Sequence, residues 1–259
     1  MKIKFGFLVF LLICTLVTVN AKTMSNDGAK GSLFIHGGAG TSPNCWDPFI
    51  ALVGGRSSKI LVISFAAEPP YTPEERGLHF ANIFRGRGAT DVNYVVFKRE
   101  DADLPENLRK LDGVKGIWFS GGSQTLLRNH LLGTAFLEHI KEIYRNGGVI
   151  GGTSAGSAVL SKAMLSGNSN ISEGFGFIDF AIIDQHFSEQ NRQSRLLNVV
   201  QRQNLAGIGI DEKTAVVFNG VTKIFEVIGN STVTVYEPLS TGVRTQIYRS
   251  GDRFTIIGN

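Results

Sequence analysis

Cysteine is nearly absent from this chain of 259 residues: there are two, Cys14 and Cys45. Cys14 lies in an N-terminal segment that reads as cleaved, so Cys45 is left alone. That excludes an intramolecular disulfide framework. Neither a cysteine pair nor a His-Glu-x-x-His stretch is present to build a zinc site, so no metal and no other cofactor is expected. Cys45, in "SPNCWDP", reads as a packing thiol. Charge is also scarce, at 19% of residues, and the formal balance is only +4. Losing Lys2 and Lys4 with the N-terminal segment leaves about +2, too little to argue for a nucleic-acid partner. Repeats, low-complexity tracts and linkers are missing. Hydrophobic residues make up 42%, which is ordinary for a globular protein.

The chain opens "MKIKFGFLVFLLICTLVTVNAKTM". Two lysines precede an apolar stretch from Phe5 to Val19, and Val19-Asn20-Ala21 is a small-residue cleavage site. This is the three-part design of a secretory signal peptide, so residues 1–21 are set aside from the fold. The apolar run is short for a membrane span of ~20 residues. The mature protein is expected to be secreted or periplasmic, with no membrane partner after signal removal. Residues 28–259 are long enough for one substantial core and read as one domain.

Short β-branched runs alternate with helical patterns over the first part of that domain. "SLFIHGG", "KILVISFA", "DVNYVVF", "GIWFSGG" and "GVIGGTSAG" read as five strands. Between them, "TPEERGLHFANIFRGRG" is a helix with Thr72 as N-cap, Pro73 in the first turn and Glu75 at the capping-box position. "LPENLRKLDG", "SQTLLRNHLLG" and "TAFLEHIKEIYRNGG" supply further helices. Apolar strands alternating with helices predict a mostly parallel central sheet with helices on both faces, a three-layer α/β/α sandwich. After residue 207 short strands joined by Asn-Gly and Gly-Asn turns follow: "GIGIDE", "TAVVFNG", "TKIFEVIGN", "STVTVYEP" and "RFTIIGN". They predict a C-terminal antiparallel extension of the same domain.

The chemistry concentrates around "VIGGTSAGSAVL". Gly152-Thr-Ser154-Ala-Gly156 fits Gly-x-Ser-x-Gly, with a strand before it and a helix after it. That context is a nucleophile elbow. The glycines permit a tight turn, the Ser154 hydroxyl stands at the carboxyl edge of the sheet, and the Ala155 N–H points to where an oxyanion would form. A serine nucleophile needs a base. His79, His130 and His139 fall inside predicted helices, where packing or surface roles are commoner. His36 ends the first strand beside Gly37-Gly38, with packing as its default role. His186, in "AIIDQHFSEQNRQSRL", follows a strand and leads into a polar segment, so it is the best base. Only about 30 residues separate Ser154 from His186 and no histidine follows, which argues against a standard α/β-hydrolase.

Four stretches in this order, "FSGGSQTLL", "GGTSAGSAVL", "IDQHFSEQNRQSRLL" and "GIGIDEKTAVVF", resemble the signatures of the cyanophycinase and dipeptidase E family of serine peptidases. The resemblance runs from the first strand to about residue 218. It implies a fold like that of class I glutamine amidotransferases, with serine in place of their elbow cysteine. It implies a Ser–His–Glu triad of Ser154, His186 and Glu212, with Glu173 as the alternate third member and Asp184 as a rival carboxylate. Gly121 and Gly122 would complete an oxyanion hole with Ala155. Gln124, Asp184, Gln185, Arg192 and Arg195 would contact substrate. The implied substrate is cyanophycin, a poly-aspartate backbone carrying arginine on each β-carboxyl, or a related peptide. Aspartyl dipeptides are the alternative, and a catalytically silent binding protein is the reading from another class. One departure stands out: Gln190 occupies a position where cyanophycinases carry an arginine. Relatives in the resembled family often form dimers, so a homodimer is the implied assembly.

Overall fold

A computed structural model describes residues 28–39, 43–167 and 169–256. The proposed signal segment, 1–21, lies outside the described residues. The frame is an eight-stranded sheet. Five strands run parallel and reach one edge of it: β1 (Ser32–His36), β2 (Ile60–Ile63), β3 (Val92–Val95), β4 (Gly116–Phe119) and β5 (Val149–Thr153), in the order β1-β5-β4-β2-β3. These strands are short apolar runs because both faces are covered. Leu33, Ile35, Leu61, Ile63, Ile117, Phe119 and Ile150 point to one face. Phe34, Ile60, Val62, Trp118 and Val149 point to the other.

The second face is closed by α1 (Pro43–Leu52) and α2 (Pro73–Gly86), through Trp46, Phe49, Phe80 and Phe84. Trp46, Phe49 and Phe84 all pack on Trp118 with ring centroids 4.9–5.5 Å apart. Helix α2 begins with the expected capping box. The Glu75 N–H donates to the Thr72 hydroxyl (3.2 Å), and the Thr72 N–H donates to the Glu75 carboxylate (2.8 Å). The first face is closed by α3 (Pro105–Leu108), α4 (Gln124–Leu131) and α5 (Ala135–Arg145). Leu127, Leu131, Phe136, Leu137 and Ile140 are fully buried in the core on that face.

The C-terminal part forms the expected antiparallel extension. It divides between two sheets. β10 (Thr214–Asn219), β11 (Phe225–Gly229) and β14 (Arg253–Phe254) pair antiparallel in succession beyond β1 and complete the large sheet. A second, four-stranded sheet forms from β8 (Ala181–Gln185), β9 (Ala206–Ile210), β12 (Thr232–Leu239) and β13 (Gly242–Arg249). Within it β8 and β9 are parallel, bridged by α7 (Gln193–Gln203). One face of this sheet, with Ile183, Ile208, Ile210, Val233 and Val235, joins the main core. Its other face packs Ile182 and Tyr236 against Leu196, Val199 and Val200 of α7. Helix α1 and two further features were not expected from the sequence. β13 is a polar, mostly exposed edge strand, and β6 (Ala163–Ser166) with β7 (Asn170–Glu173) forms a small hairpin.

Candidate active site

β5 ends at Thr153 in the middle of the large sheet, and the four-residue helix α6 (Ala155–Ala158) starts two residues later. Ser154 makes the whole turn between them, with φ 52° and ψ −116°. A serine at positive φ is strained, and such strain persists only where the surroundings over-determine it. Here the Ser154 N–H donates to the His36 carbonyl at 3.0 Å. The Ser157 hydroxyl accepts the His36 N–H (2.9 Å) and donates to the Gly152 carbonyl (2.6 Å). Both glycines of the motif are required by contact. A Cβ on Gly152 would lie 2.3 Å from the Gly156 carbonyl oxygen, and one on Gly156 would lie 2.2 Å from that of Phe119.

His186 comes from the other sheet. It is the first residue after β8, at φ 50°, and its N–H donates to the Gly37 carbonyl at 2.8 Å. Its Nε2 is 2.8 Å from Ser154 Oγ and its Nδ1 is 2.7 Å from Glu212 Oε1. Glu212 follows β9, the strand paired parallel with β8, so both side chains leave the carboxyl ends of adjacent strands. A neutral imidazole that donates from Nδ1 to a carboxylate presents Nε2 as an acceptor for the serine hydroxyl. Gly38, at φ 113°, lies under the ring, and a Cβ there would come within 2.3 Å of His186 Cε1. Glu173, the alternate acid, is not part of this chain. It lies on the β6–β7 hairpin, where its carbonyl accepts from Arg128 Nε.

The turn after β4 lies beside the serine. A Cβ on Gly121 would stand 3.4 Å from Ser154 Cβ, and Gly122, at φ 133°, packs against the Ala66 carbonyl. Ala155 is the first residue of α6, where an N–H has no intrahelical acceptor. Gln124, in contrast, donates its side-chain amide to the Leu165 carbonyl at 2.9 Å, tying α4 to the hairpin.

Asp184 differs from the expected substrate contact. It has no exposed surface, and its carboxylate is occupied by both arginines. Arg192 Nη1 donates to it at 3.0 Å, and Arg195 donates from Nε and Nη2 at 2.9 and 2.5 Å. A buried carboxylate requires such partners, so Asp184 orients the guanidinium groups from behind. Arg192 also donates to the Gln185 carbonyl and the Gln190 side chain. Gln185 itself is buried. Two cations against one carboxylate leave a net positive charge beside a surface pocket of about 530 Å³, lined by Ser169, Gln190, Asn191, Arg192, Ser194 and Arg195.

The remaining histidines lie elsewhere. His130 stacks on Phe65 at 3.8 Å, His139 bonds its own helix at Ala135, and His79 sits on α2. His36 is buried behind the serine, with Nδ1 2.8 Å from Thr153 Oγ1. Burial, with the nearby His186 imidazole, pushes its pKa down to about 4. Cys45 is buried, and burial raises its thiol to about 11, in keeping with a packing role. The sequence reading missed the roles of Gly38, beneath the imidazole, and Ser157, which braces the elbow. The only local signal for Gly38 was the glycine pair that ends β1.

Comparison with known proteins identifies the family. The family model for peptidase family S51 matches residues 33–225. A cyanophycinase from Synechococcus elongatus is 31% identical over 236 residues, covering 85% of this chain and 72% of the relative. One from Geminocystis herdmanii is 34% identical over 200 residues, 71% of each. Among solved structures, a peptidase from an acI-B1 Actinobacterium superposes with TM-score 0.74 at 26% identity, covering 88% of this chain and 98% of the other. A putative peptidase E from Listeria monocytogenes shares the fold, with TM-score 0.54 at 15% identity, 85% of this chain and 99% of the other being covered. The chain belongs to peptidase family S51 and is a serine-type peptidase of the cyanophycinase and dipeptidase E kind.

Proposed function

We propose that Ser154 attacks the carbonyl of an aspartyl peptide or isopeptide, with His186 as general base and Glu212 as its orienting acid. The supporting observation is the continuous hydrogen-bonded chain Ser154–His186–Glu212 on a strained elbow. His186 takes the hydroxyl proton as the Ser154 Oγ–C bond forms. The Ala155 N–H and the Gly121–Gly122 turn receive the oxyanion. His186 then returns the proton to the leaving amine, and water hydrolyses the acyl-enzyme by the same steps in reverse.

The preferred substrate is cyanophycin or related β-aspartyl-arginine material. The cationic Arg192–Arg195 pocket suits a substrate carboxylate, and the S. elongatus and G. herdmanii relatives are both cyanophycinases. A second reading, hydrolysis of aspartyl dipeptides, draws on Gln190. It replaces a cation of the resembled family and holds a guanidinium of Arg192, which lowers the positive charge available to a polyacid. Action outside the cytoplasm is proposed on the three-part N-terminal segment.

The test offers the mature protein insoluble cyanophycin and a panel of Asp-x dipeptides, with products identified by mass. Release of β-Asp-Arg is expected. Cleavage of α-linked Asp-x peptides alone would reject the cyanophycin reading. Ser154→Ala should lower turnover by about 10⁴-fold or more, and retained activity would remove Ser154 from the chemistry.

A further inference from the structure

The residues that carry His186 and Glu212 are cross-braced in a way that the triad itself does not need. Ser188 and Glu189 follow the histidine, and Asp211 precedes the glutamate. The Ser188 N–H donates to Asp211 Oδ1 at 3.0 Å. In the opposite direction, the Glu212 N–H donates to both oxygens of the Glu189 carboxylate, at 3.2 Å each. Each loop thus gives the other one backbone donor and one carboxylate acceptor.

Asp211 also ties this junction to β12. Its Oδ2 accepts from the Ser231 hydroxyl (2.8 Å), the Thr232 hydroxyl (2.6 Å) and the Thr232 N–H (3.2 Å). It is 2% exposed. Burial alone would raise its pKa, yet these donors hold the carboxyl below its ordinary value. Glu189, in contrast, is exposed. A surface carboxylate is normally spent on solvent, but this one caps the backbone of the triad's acid residue.

We propose that Glu189 and Asp211 are positioning residues, a crossed latch that fixes the separation of the His186 and Glu212 loops. Neither touches the reacting atoms. The latch acts through the His186 Nδ1–Glu212 contact, so it rests on the triad reading above. A loop gap too wide by a few tenths of an ångström would weaken that contact and leave the imidazole free to turn away from Ser154.

The experiment compares Glu189→Ala with Glu189→Gln in the mature protein. Gln keeps an acceptor oxygen for the Glu212 N–H but removes the charge. Two readouts are used: kcat and KM on the substrate that the mature protein cleaves, cyanophycin or an Asp-x dipeptide, and the low-field proton NMR signal of the His186 Nδ1–H, identified by its loss in Glu212→Gln. Glu189→Ala should lower kcat at least tenfold with KM within twofold, and broaden or abolish the signal. Glu189→Gln should restore both. Asp211→Asn, checked for folding by circular dichroism, should act in the same direction as Glu189→Ala. If Glu189→Ala keeps the wild-type kcat and signal, or if Glu189→Gln behaves like Glu189→Ala, the latch is wrong, whatever Asp211→Asn does. If Glu212→Gln itself changes neither readout, the triad reading falls and the latch with it. Loss in Glu212→Gln without loss in Glu189→Ala overturns the latch alone.

Discussion

The two halves of the active site are built by opposite means. Ser154 stands on the large sheet, at a turn written in one short stretch, two glycines between a strand and a short helix, and locked from outside by His36 and Phe119. His186 and Glu212 stand on the second sheet, 26 residues apart in sequence, and meet only because β8 and β9 pair in parallel with Gln185 opposite Ile210. The nucleophile's turn is therefore specified by local sequence, and its strain is held in place by close packing and the His36 hydrogen bonds. The base and acid are a tertiary feature, held by strand register and hydrogen bonds. The halves touch at Gly37 and Gly38, which accept backbone N–H groups from His186 and Lys213.

This contrast can be broken from either side. The largest effect is expected at the elbow. In Gly156→Ala the new Cβ would meet the Phe119 carbonyl at 2.2 Å, backbone against backbone with nothing flexible to yield. A cost of about 3 kcal/mol or more should follow. Thermal melting should fall by roughly 10 °C, with activity lost. A melting curve like that of the wild type would show the elbow to be less constrained than its geometry.

Gly38→Ala acts at the junction. Its Cβ would strike the His186 ring, a side chain that can move, but an alanine at φ 113° is itself strained, so some stability is lost along with the placement of the ring. The displaced imidazole should reduce kcat by about 100-fold or more, read by steady-state kinetics beside a melting curve. Unchanged kcat would place the working imidazole elsewhere.

The smallest effect concerns His36, behind the elbow. Its folded pKa, about 4, lies below the ordinary histidine value of 6.5. The unfolded chain therefore binds its proton first as pH falls. The stability that His36 contributes is full above pH 6.5 and is lost progressively between 6.5 and 4. The loss amounts to about 3 kcal/mol at most. Denaturant melts of His36→Gln across this range should show a flatter pH dependence than the wild type. Equal slopes would mean that His36 binds its proton equally in the folded and the unfolded chain, with no shift on burial.

What could be read from the sequence follows the same division. The alternation of apolar runs and helices is local, and it gave the parallel sheet, its two helical layers and the Thr72–Glu75 capping box. Gly-x-Ser-x-Gly is local too. The split of the C-terminal strands between two sheets could not be read, because strand partners are chosen by distant packing faces. For the same reason the burial of Asp184 is not legible in the sequence. Nothing near "IDQHF" shows that α7 returns Arg192 and Arg195 onto its carboxylate and removes it from solvent. Glu212 over Glu173 rested on resemblance, since only the pairing of β8 with β9 brings one carboxylate to the imidazole.

The central claim is that residues from the two sheets act as one catalytic unit. The most direct measurement is a double-mutant cycle across the sheets: kcat for Ser154→Ala, Glu212→Gln and the double variant on the same substrate. A single unit predicts strong non-additivity. Once Ser154 is gone, removing the Glu212 carboxylate should change the residual rate by less than about threefold. If the two losses multiply in the double variant, Ser154 and Glu212 act independently and the two-sheet triad is contradicted.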